Sequence, residues 1–509
     1  MTNSAALPRS ERIQRFFEVV LVVLLLSALI AAAAAWFFSR GYLLYYGDAT
    51  AHLNISRGII DSKTPGYDQL GTVWLPLLHV LCLPWIGNDW LWSTGLAGTI
   101  PVAICFVVAG AFFFLAACEA YGSSAAAAVV VGCFALNPNI LYLASIPMTE
   151  IVFLAGLSIL VFAALRFRNT QHAIWLAPGI VASWLMSLTR YDGWFLIPFS
   201  ALWFAINSHW HKLRVLVLFG ALASLAPAYW MAHNWWETSN PLDFYNGPYS
   251  AAAIQGTASY PGYHDWNVAL QYYSLAAELC AGVTLLVIGG LGIICAATKR
   301  SLFPILFLCL TPAFYVWSIH SSKTPVRVPQ FWHSYYNTRY GIAVVALTAF
   351  AAGAVVLVVP RRFSRFWFVL PLIAVVPWLI PPSEENWICW KESQVNSVSR
   401  RFWTNAAARY LQTRYQAGQG ILASSGDVTG IFCRGRIHLS ETINIGNGPL
   451  WFAATSRPDL LHPTLWTVTQ KGDLADKALE RAPSSPYRIV EEIRSREDPV
   501  LKICQRVNQ

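Results

Sequence analysis

The chain has 509 residues, of which 56 % are hydrophobic and only 12 % are charged, and its mean hydropathy is +0.46. Soluble domains carry about 25 % charged residues, so this composition excludes a string of water-soluble domains. The formal net charge of +9 is spread along the chain, whereas nucleic-acid binding needs a clustered basic face. The composition therefore predicts an integral membrane protein that has no nucleic-acid partner.

The few charged residues are unevenly distributed. Residues 383–509 contain 29 of them, 16 basic and 13 acidic, whereas the three-times longer stretch 1–382 contains only 32. We predict a transmembrane body over residues 1–382 and a water-soluble domain over residues 383–509.

Apolar runs long enough to cross a hydrocarbon core of roughly 30 Å as helices recur along the body. Eleven of them predict a polytopic α-helical membrane protein. They are Phe16–Phe38, Leu96–Cys118, Ala125–Ser145, Met148–Leu165, Ala173–Leu188, Trp194–Ile206, Leu213–Met231, Ala276–Ala297, Phe303–Ile319, Ile342–Val359 and Phe366–Pro381.

The basic residues predict the orientation of these spans. Arg9, Arg12 and Arg15 precede the first run, which we interpret as a retained helix and not a signal peptide because it is long and lacks a convincing cleavage site. With the N-terminus in the cytoplasm, 12 of the 19 basic residues of the body fall on cytoplasmic loops, as the positive-inside rule requires. An odd number of spans then places the C-terminal domain outside.

Two predicted outer loops are long, at about residues 39–95 and 232–274, and both are rich in Trp, Tyr, Pro and Gly. Irregular backbone is not tolerated where it faces lipid. We therefore expect these loops to pack over the outer end of the helix bundle, partly as interfacial helices, and to cover a cavity.

The first outer loop contains an acid, Asp48, about ten residues beyond the first span. Ionisable groups in a membrane are costly and are usually functional, and we extend that rule to the membrane edge. The alternative is that Asp48 caps an interfacial helix that starts at Ala49. The same loop continues with His52 and later with the segment Pro65-Gly66 to Trp74-Leu75-Pro76-Leu77-Leu78-His79.

Three further polar motifs fall at predicted outer turns or at the start of a span. They are Ser145-Ile146-Pro147-Met148-Thr149-Glu150, Leu188-Thr189-Arg190-Tyr191-Asp192-Gly193 and Tyr336-Asn337-Thr338-Arg339-Tyr340-Gly341. Together with the first outer loop, their order resembles that of the GT-C superfamily of polyprenyl-phosphate-sugar-dependent glycosyltransferases. The branch that they resemble most is that of the protein O-mannosyltransferases and the lipid A aminoarabinose transferases. Asp192 stands where the family's TRxEG turn more often has Glu.

This resemblance implies a fold, a reaction and a set of site residues. The fold would be GT-C-like, with a small α/β domain on the outer side, and the reaction would transfer a sugar from a polyprenyl-phosphate donor to a protein, lipid or glycan acceptor, with inversion. Carboxylates act as general bases and arginine binds phosphate in a bidentate manner. The implied catalytic residues are Asp48 and Glu150, the implied lipid-phosphate ligands are Arg339, Arg190, Lys323 and Arg327, and the implied substrate-lining residues are His52, Asp192, Trp74 and His79.

Each assignment has a structural alternative. Glu150 could only stabilise the N-terminus of a helix, and Arg190 could pair with Asp192 as an ordinary surface salt bridge. Arg339 could extend to the membrane interface, and Lys323 and Arg327 could contact lipid head groups.

No cofactor is predicted as required. The histidines lack the paired spacing of structural zinc sites. A divalent cation held by Asp48 and Glu150 is one alternative, because the oligosaccharyltransferase branch of the superfamily uses one. That branch has a paired-acid DxD motif, which Gly47-Asp48-Ala49-Thr50 lacks.

The C-terminal segment predicts a small α/β domain. Phe402–Gln416 has apolar residues at helical spacing, and four short runs predict strands: Gly420–Ser424, Thr429–Phe432, Leu465–Val468 and Pro499–Ile503. Cys389, Cys433 and Cys504 allow three alternative disulfide pairings on an oxidising outer side.

The leading hypothesis is therefore a glycosyltransferase of the bacterial or archaeal cytoplasmic membrane. A secondary transporter predicts internal repeats and binding groups near the membrane midplane, and the sequence shows neither. A non-catalytic envelope scaffold predicts that the acids of the outer loops are dispensable.

Overall fold

We describe the protein from a computed structural model covering residues 9–209, 211–332, 334–360, 362, 365–380, 382–458, 464–482, 487–495 and 498–507. It is mostly helical and confirms the predicted fold class of an apolar helical body with a small C-terminal sheet. The chain divides into two compact units. The first comprises residues 1–37, 102–145 and 149–392, and the second comprises residues 38–101, 146–148 and 393–509.

The described α-helices follow one another with short connections. Those of the N-terminal half are α1 (Arg9–Ser39), α2 (Gly47–Ile60), α3 (Leu77–Ile86), α4 (Asp89–Thr94), α5 (Leu96–Tyr121), α6 (Ser124–Ala135), α7 (Pro138–Ala144), α8 (Glu150–Thr170), α9 (Leu176–Ser187), α10 (Asp192–Asn207), α11 (Lys212–Ala223), α12 (Leu225–Thr238), α13 (Asp243–Asn246) and α14 (Ala251–Gln255). Those of the C-terminal half are α15 (Trp266–Ala281), α16 (Val283–Thr298), α17 (Phe303–Leu308), α18 (Leu310–Ser321), α19 (Pro329–Trp332), α20 (Ile342–Ala352), α21 (Val369–Leu379), α22 (Ile388–Arg414), α23 (Thr429–Gly435), α24 (Pro449–Ser456) and α25 (Leu474–Arg481).

The predicted count of eleven spans is not confirmed. Among the described residues, six helical segments are long and apolar enough to cross a membrane, or eight if two bent helix pairs each count as one span. The other predicted spans coincide with α9, α10 and α21, which have 12, 16 and 11 residues. Pro381, the predicted end of the last span, lies outside the described residues. The chain is an integral membrane protein.

The two bent pairs belong to the first unit and meet at one polar junction. Helices α6 and α7 meet at 69°, and helices α15 and α16 meet at 103° about Gly282, whose φ is +75°. The carbonyl of Cys280 at this second break accepts hydrogen bonds from Asn137 Nδ2 at 2.9 Å and Asn139 Nδ2 at 3.1 Å. Both asparagines are buried. The amides of Asn137 and Asn139 at the first break therefore satisfy the Cys280 carbonyl at the second, since backbone groups inside a membrane protein must be paired within the protein.

Close backbone contact joins α16 to α20. A Cβ atom placed on Gly292 would lie 2.0 Å from the carbonyl oxygen of Ala351, whereas one on Gly290 would meet no atom within 4 Å. Small residues allow membrane helices to approach closely in this way.

We expect Gly292→Ala to destabilise the protein by about 1–3 kcal/mol, because the added methyl group forces the two helix backbones apart. Thermal unfolding in detergent micelles measures this effect. Gly290→Ala, two residues away on the same helix, is the matched control and should change the unfolding temperature little. Equal effects of the two substitutions would contradict close packing at Gly292.

The second unit contains a five-stranded sheet, ordered β2-β1-β3-β5-β4. Its strands are β1 (Ile421–Ala423), β2 (Thr442–Ile443), β3 (Trp466–Gln470), β4 (Tyr487–Ile493) and β5 (Leu501–Arg506). Strand β1 is parallel to β2 and β3, while β5 is antiparallel to β3 and β4. Leu422 opposes Thr467, and Val468 opposes Ile503. Leu422, Ile443, Trp451 and Ala475 form a core beside the sheet.

Three of the four predicted strand runs contain strands, and one prediction is wrong. The run Thr429–Phe432 lies in helix α23, where the consecutive buried residues Gly430 to Cys433 cover a full helical turn and are packed on all sides. The predicted helix is the end of α22. None of the ten cysteines is in a disulfide, so Cys389, Cys433 and Cys504 are thiols.

Candidate functional site

Three chain segments of the first unit bring charged residues together. Glu150 is the first residue of α8, Arg190 follows α9, and Arg339 lies in a 3-10 turn, Thr338–Gly341, that leads into α20. A carboxylate at a helix N-terminus is favoured by the helix dipole. Asn337 directs the last of these turns with a left-handed φ of +54°, a conformation that asparagine tolerates better than most residues.

Glu150 joins the two arginines. Its Oε1 accepts from Arg190 Nη1 at 3.1 Å and from Arg339 Nε at 3.0 Å, and its side chain is only 4 % exposed. Arg190 Nη1 also donates to Thr149 Oγ1 at 2.9 Å. Glu150, Arg190 and Arg339 came from three separate sequence motifs, so the structure brings these predicted residues into one cluster.

Another carboxylate, Glu392, also belongs to the cluster, and it was not among the site residues predicted from the sequence. Its Oε1 lies 3.3 Å from Arg339 Nη1, and its Oε2 accepts from the backbone N–H and hydroxyl of Thr338 at 2.6 and 2.5 Å. Glu392 is buried on α22, beyond the last predicted span. Its position in the sequence carries no motif or periodicity that links it to Arg339.

Asp192 and two tyrosines surround Arg190. Asp192 Oδ1 lies 3.3 Å from Arg190 Nε, and Asp192 Oδ2 accepts from the Tyr315 hydroxyl at 2.9 Å. The ring of Tyr315 stacks on that of Tyr340 with centroids 4.7 Å apart. Arg190 Cζ lies 5.4 Å from the Tyr340 ring centroid, within the range of a cation–π contact. Arg190 and Asp192 do pair, as the alternative proposed, but the pair is buried and not a surface salt bridge.

This cluster lines a small cleft with about 10 Å³ of free space, enough for about one water molecule. Glu150, Arg190 and Arg339 provide the polar side, and the apolar side is formed by Phe153, Leu154, Ile342 and Ala343. The cleft therefore combines paired cationic and anionic groups with an apolar wall.

Lys323 and Arg327 do not line this cleft. Lys323 Nζ donates to the carbonyl of Gly256 at 3.0 Å, and Arg327 is exposed. Their assignment to a lipid phosphate stays a prediction.

Asp48 lies in the second unit, in the first turn of α2. The residue that caps this helix is Tyr46, so the alternative that Asp48 is the N-cap of a helix starting at Ala49 is wrong. Gly47, the residue before Asp48, lies close to Arg400 and Asp427, which belong to the same unit. A Cβ atom built on Gly47 would lie 2.8 Å from Arg400 Nη1 and 3.2 Å from Asp427 Oδ1. Neither Arg400 nor Asp427 was a predicted site residue. Both lie more than 350 positions further along the chain, so no local motif indicates the contact.

The predicted lining residues His52, His79 and Trp74 form a second cluster in the same unit. His52 Nδ1 lies 2.9 Å from His79 Nε2, and the rings of His52 and Trp74 have centroids 4.4 Å apart. His79 is completely buried. Burial lowers the pKa of His79 well below its ordinary value, and the neighbouring His52 lowers it further, so His79 is neutral at pH 7.

We expect the protein to lose stability as the pH falls below about 6.5. His79 is protonated in the unfolded chain at such a pH but stays neutral in the folded protein, because burial lowers its pKa. The loss is at most about 1.4 kcal/mol per pH unit and continues down to the folded pKa. Thermal unfolding of wild type and His79→Gln from pH 7.5 to 5.5 measures it. The variant should show a shallower pH dependence, and parallel profiles would contradict this role of His79.

Among the described residues, no group of three or more His, Cys, Asp and Glu side chains is arranged to hold a metal ion.

Comparisons with known proteins identify the fold. No protein-family model matches the chain, and no curated protein matches it in sequence. Among solved structures, ArnT from Cupriavidus metallidurans bound to undecaprenyl phosphate matches with a TM-score of 0.56 and 14 % identity, over 94 % of this chain and 98 % of that one. The apo state of the same protein matches with a TM-score of 0.54 and 13 % identity, over 94 % and 97 %. The chain therefore has the fold seen in these two ArnT structures.

Proposed function

We propose that the chain is a membrane glycosyltransferase that moves a sugar from a polyprenyl-phosphate donor to an acceptor on the outer face of the membrane. The observation that carries this proposal is the cleft in which Arg190 and Arg339 share Glu150 beside an apolar wall. The fold likeness to a protein solved with undecaprenyl phosphate supports it.

In this proposal the phosphate of the donor and the start of its prenyl chain bind at this cleft, which must widen to admit them because its free space is about 10 Å³. Arginine offers five N–H donors in a planar fork that matches phosphate. The two arginines are already engaged by Glu150, Asp192 and Glu392. A lipid phosphate would therefore bind by sharing or replacing these carboxylates, so the cluster holds the guanidinium groups in place between reaction cycles.

Asp48 is the proposed catalytic carboxylate. An acceptor hydroxyl or amine attacks the anomeric carbon and passes its proton to Asp48, while the bond between that carbon and the phosphate oxygen breaks. The polyprenyl phosphate departs with the bonding electrons and is held by the arginines. A single displacement of this kind inverts the configuration at the sugar. Glu150 acts by positioning the arginines. His52, Trp74 and His79 form a separate cluster in the second unit, which also contains Asp48.

The same proposal places the N-terminus in the cytoplasm and residues 383–509 outside a bacterial or archaeal cytoplasmic membrane. The C-terminal domain would then meet the acceptor.

Mass spectrometry of cell-envelope lipids and glycoproteins tests the function directly. We expect deletion of the gene to remove one sugar mass from one class of molecules, and expression of wild type to restore it. Expression of Arg339→Gln should restore it poorly, whereas Arg409→Gln, a change at an exposed residue, should restore it fully. A transporter would instead lead to an accumulated, unmodified substrate, and a scaffold would leave every sugar mass in place; either result would overturn the proposal.

A further inference from the structure

Three arginines of the C-terminal domain gather near Asp48 within the second unit. Arg400 and Arg401 lie on α22, and Arg434 lies on α23. The proposed transfer reaction, as described above, uses none of them.

Arg400 and Arg401 both contact Tyr45, three residues before Asp48. Arg400 Nη2 donates to the carbonyl oxygen of Tyr45. Arg401 Cζ lies 3.9 Å from the centroid of the Tyr45 ring, a close cation–π contact. The two guanidinium groups are therefore fixed at the beginning of the helix that carries Asp48.

Arg434 faces the same region. Helix α23 packs closely at Gly430, where an added Cβ atom would lie 3.6 Å from Thr50 and 3.7 Å from Thr404. Residues four apart share one face of a helix, so Arg434 lies on the face that Gly430 presents to α2 and α22. Arg400 and Arg401 stand one turn before Thr404 on α22 by the same spacing.

Arg434 lacks the partner that a partly buried cation needs. It makes no ion pair or hydrogen bond with any residue that the structure describes. Burial lowers the pKa of Arg434, and the positive charges of Arg400 and Arg401 lower it further. A partly buried guanidinium beside two others is costly unless an anion is bound.

One of the nearby carboxylates, Asp427, pairs with Arg400. Asp427 lies 3.7 Å from Arg400 Nη1, a loose pair whose carboxylate is 51 % exposed. Burial raises the pKa of Asp427, Arg400 opposes this, and the charges of Asp48 and Asp498 raise it further. Asp498 is itself engaged, because its Oδ2 accepts from Trp403 Nε1 at 2.8 Å. Asp427 is thus the carboxylate that an incoming anion could most readily replace.

The position of Asp427 in the fold supports a ligand site. It follows β1, which lies between two parallel neighbours, in the segment Ser424-Ser425-Gly426-Asp427. Strands β2 and β3 lie on opposite sides of β1, and ligands of open α/β sheets bind beyond the carboxyl ends of strands at such a change of direction.

We propose that Arg400, Arg401 and Arg434 bind an anionic group, a phosphate or a carboxylate, of the acceptor beside Asp48, and that this group displaces Asp427 from Arg400. The inference rests on the proposed function for the role of Asp48. Contact with Tyr45 alone would account for Arg401, but it leaves the charge of Arg434 unexplained.

Binding of inorganic phosphate tests the site without an identified acceptor. The full-length protein in detergent micelles carries Arg339→Gln, so that the proposed donor site contributes less. The phosphate-dependent rise in unfolding temperature is measured against chloride at equal ionic strength, because a ligand that binds only the folded state stabilises it by an amount that grows with the logarithm of one plus the ratio of ligand concentration to Kd. We expect Arg434→Gln to weaken phosphate binding about 10-fold or more, since charge-assisted hydrogen bonds are among the strongest.

Two further variants sharpen the test. Asp427→Asn should strengthen phosphate binding by about 3-fold or more, because the competing carboxylate is neutralised. Arg409→Gln, a change at an exposed arginine of the same α22 helix, should have no effect. Unchanged phosphate affinity in Arg434→Gln, or equal losses in Arg434→Gln and Arg409→Gln, would overturn the inference.

The source of the anion is separated by repeating the titration in nanodiscs. Phosphatidylglycerol is added to phosphatidylcholine nanodiscs that hold the protein with Arg400, Arg401 and Arg434 unchanged. If it weakens phosphate binding, the site also takes lipid head groups, which supports a membrane-embedded anionic acceptor. If it does not, the site takes an acceptor from solution. The phosphate readout is independent of catalysis. Loss of transfer in Asp48→Asn together with unchanged phosphate binding in Arg434→Gln would leave the proposed function standing and remove this inference. Unchanged transfer in Asp48→Asn together with weakened phosphate binding in Arg434→Gln would remove the proposed role of Asp48 and leave the anion site standing.

Discussion

Sugar transfer by Asp48→Asn is expected to be about 10²–10⁴-fold slower than that by wild type, the range by which a positioned general base accelerates a reaction. The amide keeps the shape of the carboxylate but cannot accept the acceptor proton. Single-turnover transfer from the labelled polyprenyl-phosphate donor, once mass spectrometry has identified the sugar, measures the chemical step separately from binding. The donor affinity should change little, because the proposed phosphate ligands are Arg190 and Arg339.

Asp68→Asn is the matched control for this substitution. Asp68 is an exposed acid of the same loop, in a short 3-10 turn, Tyr67–Leu70, and its replacement should leave transfer within about 2-fold of wild type, as expected of a surface change. Undiminished transfer by Asp48→Asn would remove Asp48 from the reaction.

Replacing Glu150 with Ala is expected to destabilise the protein by about 3–5 kcal/mol, the usual effect of removing one partner from a buried ion pair. Glu150 is 4 % exposed and holds two arginines that are themselves largely buried. Its loss leaves Arg190 with Asp192, and Arg339 with Glu392, as their remaining ionic partners among the described residues. The midpoint of thermal unfolding in micelles measures the loss.

Glu119→Ala provides the comparison. Glu119 also pairs with an arginine, Arg166, at 2.8 Å, but the two side chains are 19 % and 31 % exposed, and pairs of this kind contribute about 0–1 kcal/mol. Similar losses of stability in Glu150→Ala and Glu119→Ala would show that Glu150 contributes no more to the stability than a partly exposed ion pair. Retained stability but lost transfer in Glu150→Ala would assign it a direct part in the reaction.

The helices of the body could be predicted because apolar runs specify them directly. Every predicted span coincides with helix, but the prediction ran Ala125–Ser145 and Ala276–Ala297 straight through bends of 69° and 103°. The sequence marks the first break with Asn137-Pro138-Asn139, whereas the second has a single glycine, Gly282, as its local signal. Only tertiary hydrogen bonds, such as those from Asn137 and Asn139 to Cys280, make the bent form stable.

The charged cluster could be predicted in part. Glu150, Arg190 and Arg339 stand in polar motifs beside apolar spans, where a charge is conspicuous. Glu392 and Arg434 lie in a segment of ordinary charge content, so nothing local distinguishes them from solvated surface residues. Their contacts come from long-range packing, which also turned the strand-like run Thr429–Phe432 into a helix.

The junction at the Cys280 carbonyl has a consequence for biosynthesis. Residues 124–144 leave the ribosome well before residues 266–298, so the first broken segment must wait for the acceptor of its two asparagine amides. Until then it is a bent apolar segment whose two asparagine Nδ2 groups lack this acceptor, which a bilayer disfavours. The two segments should therefore become resistant to protease at the same time, only after the second has been synthesised, and the early intermediate is the form that a membrane insertase or quality-control protease would encounter.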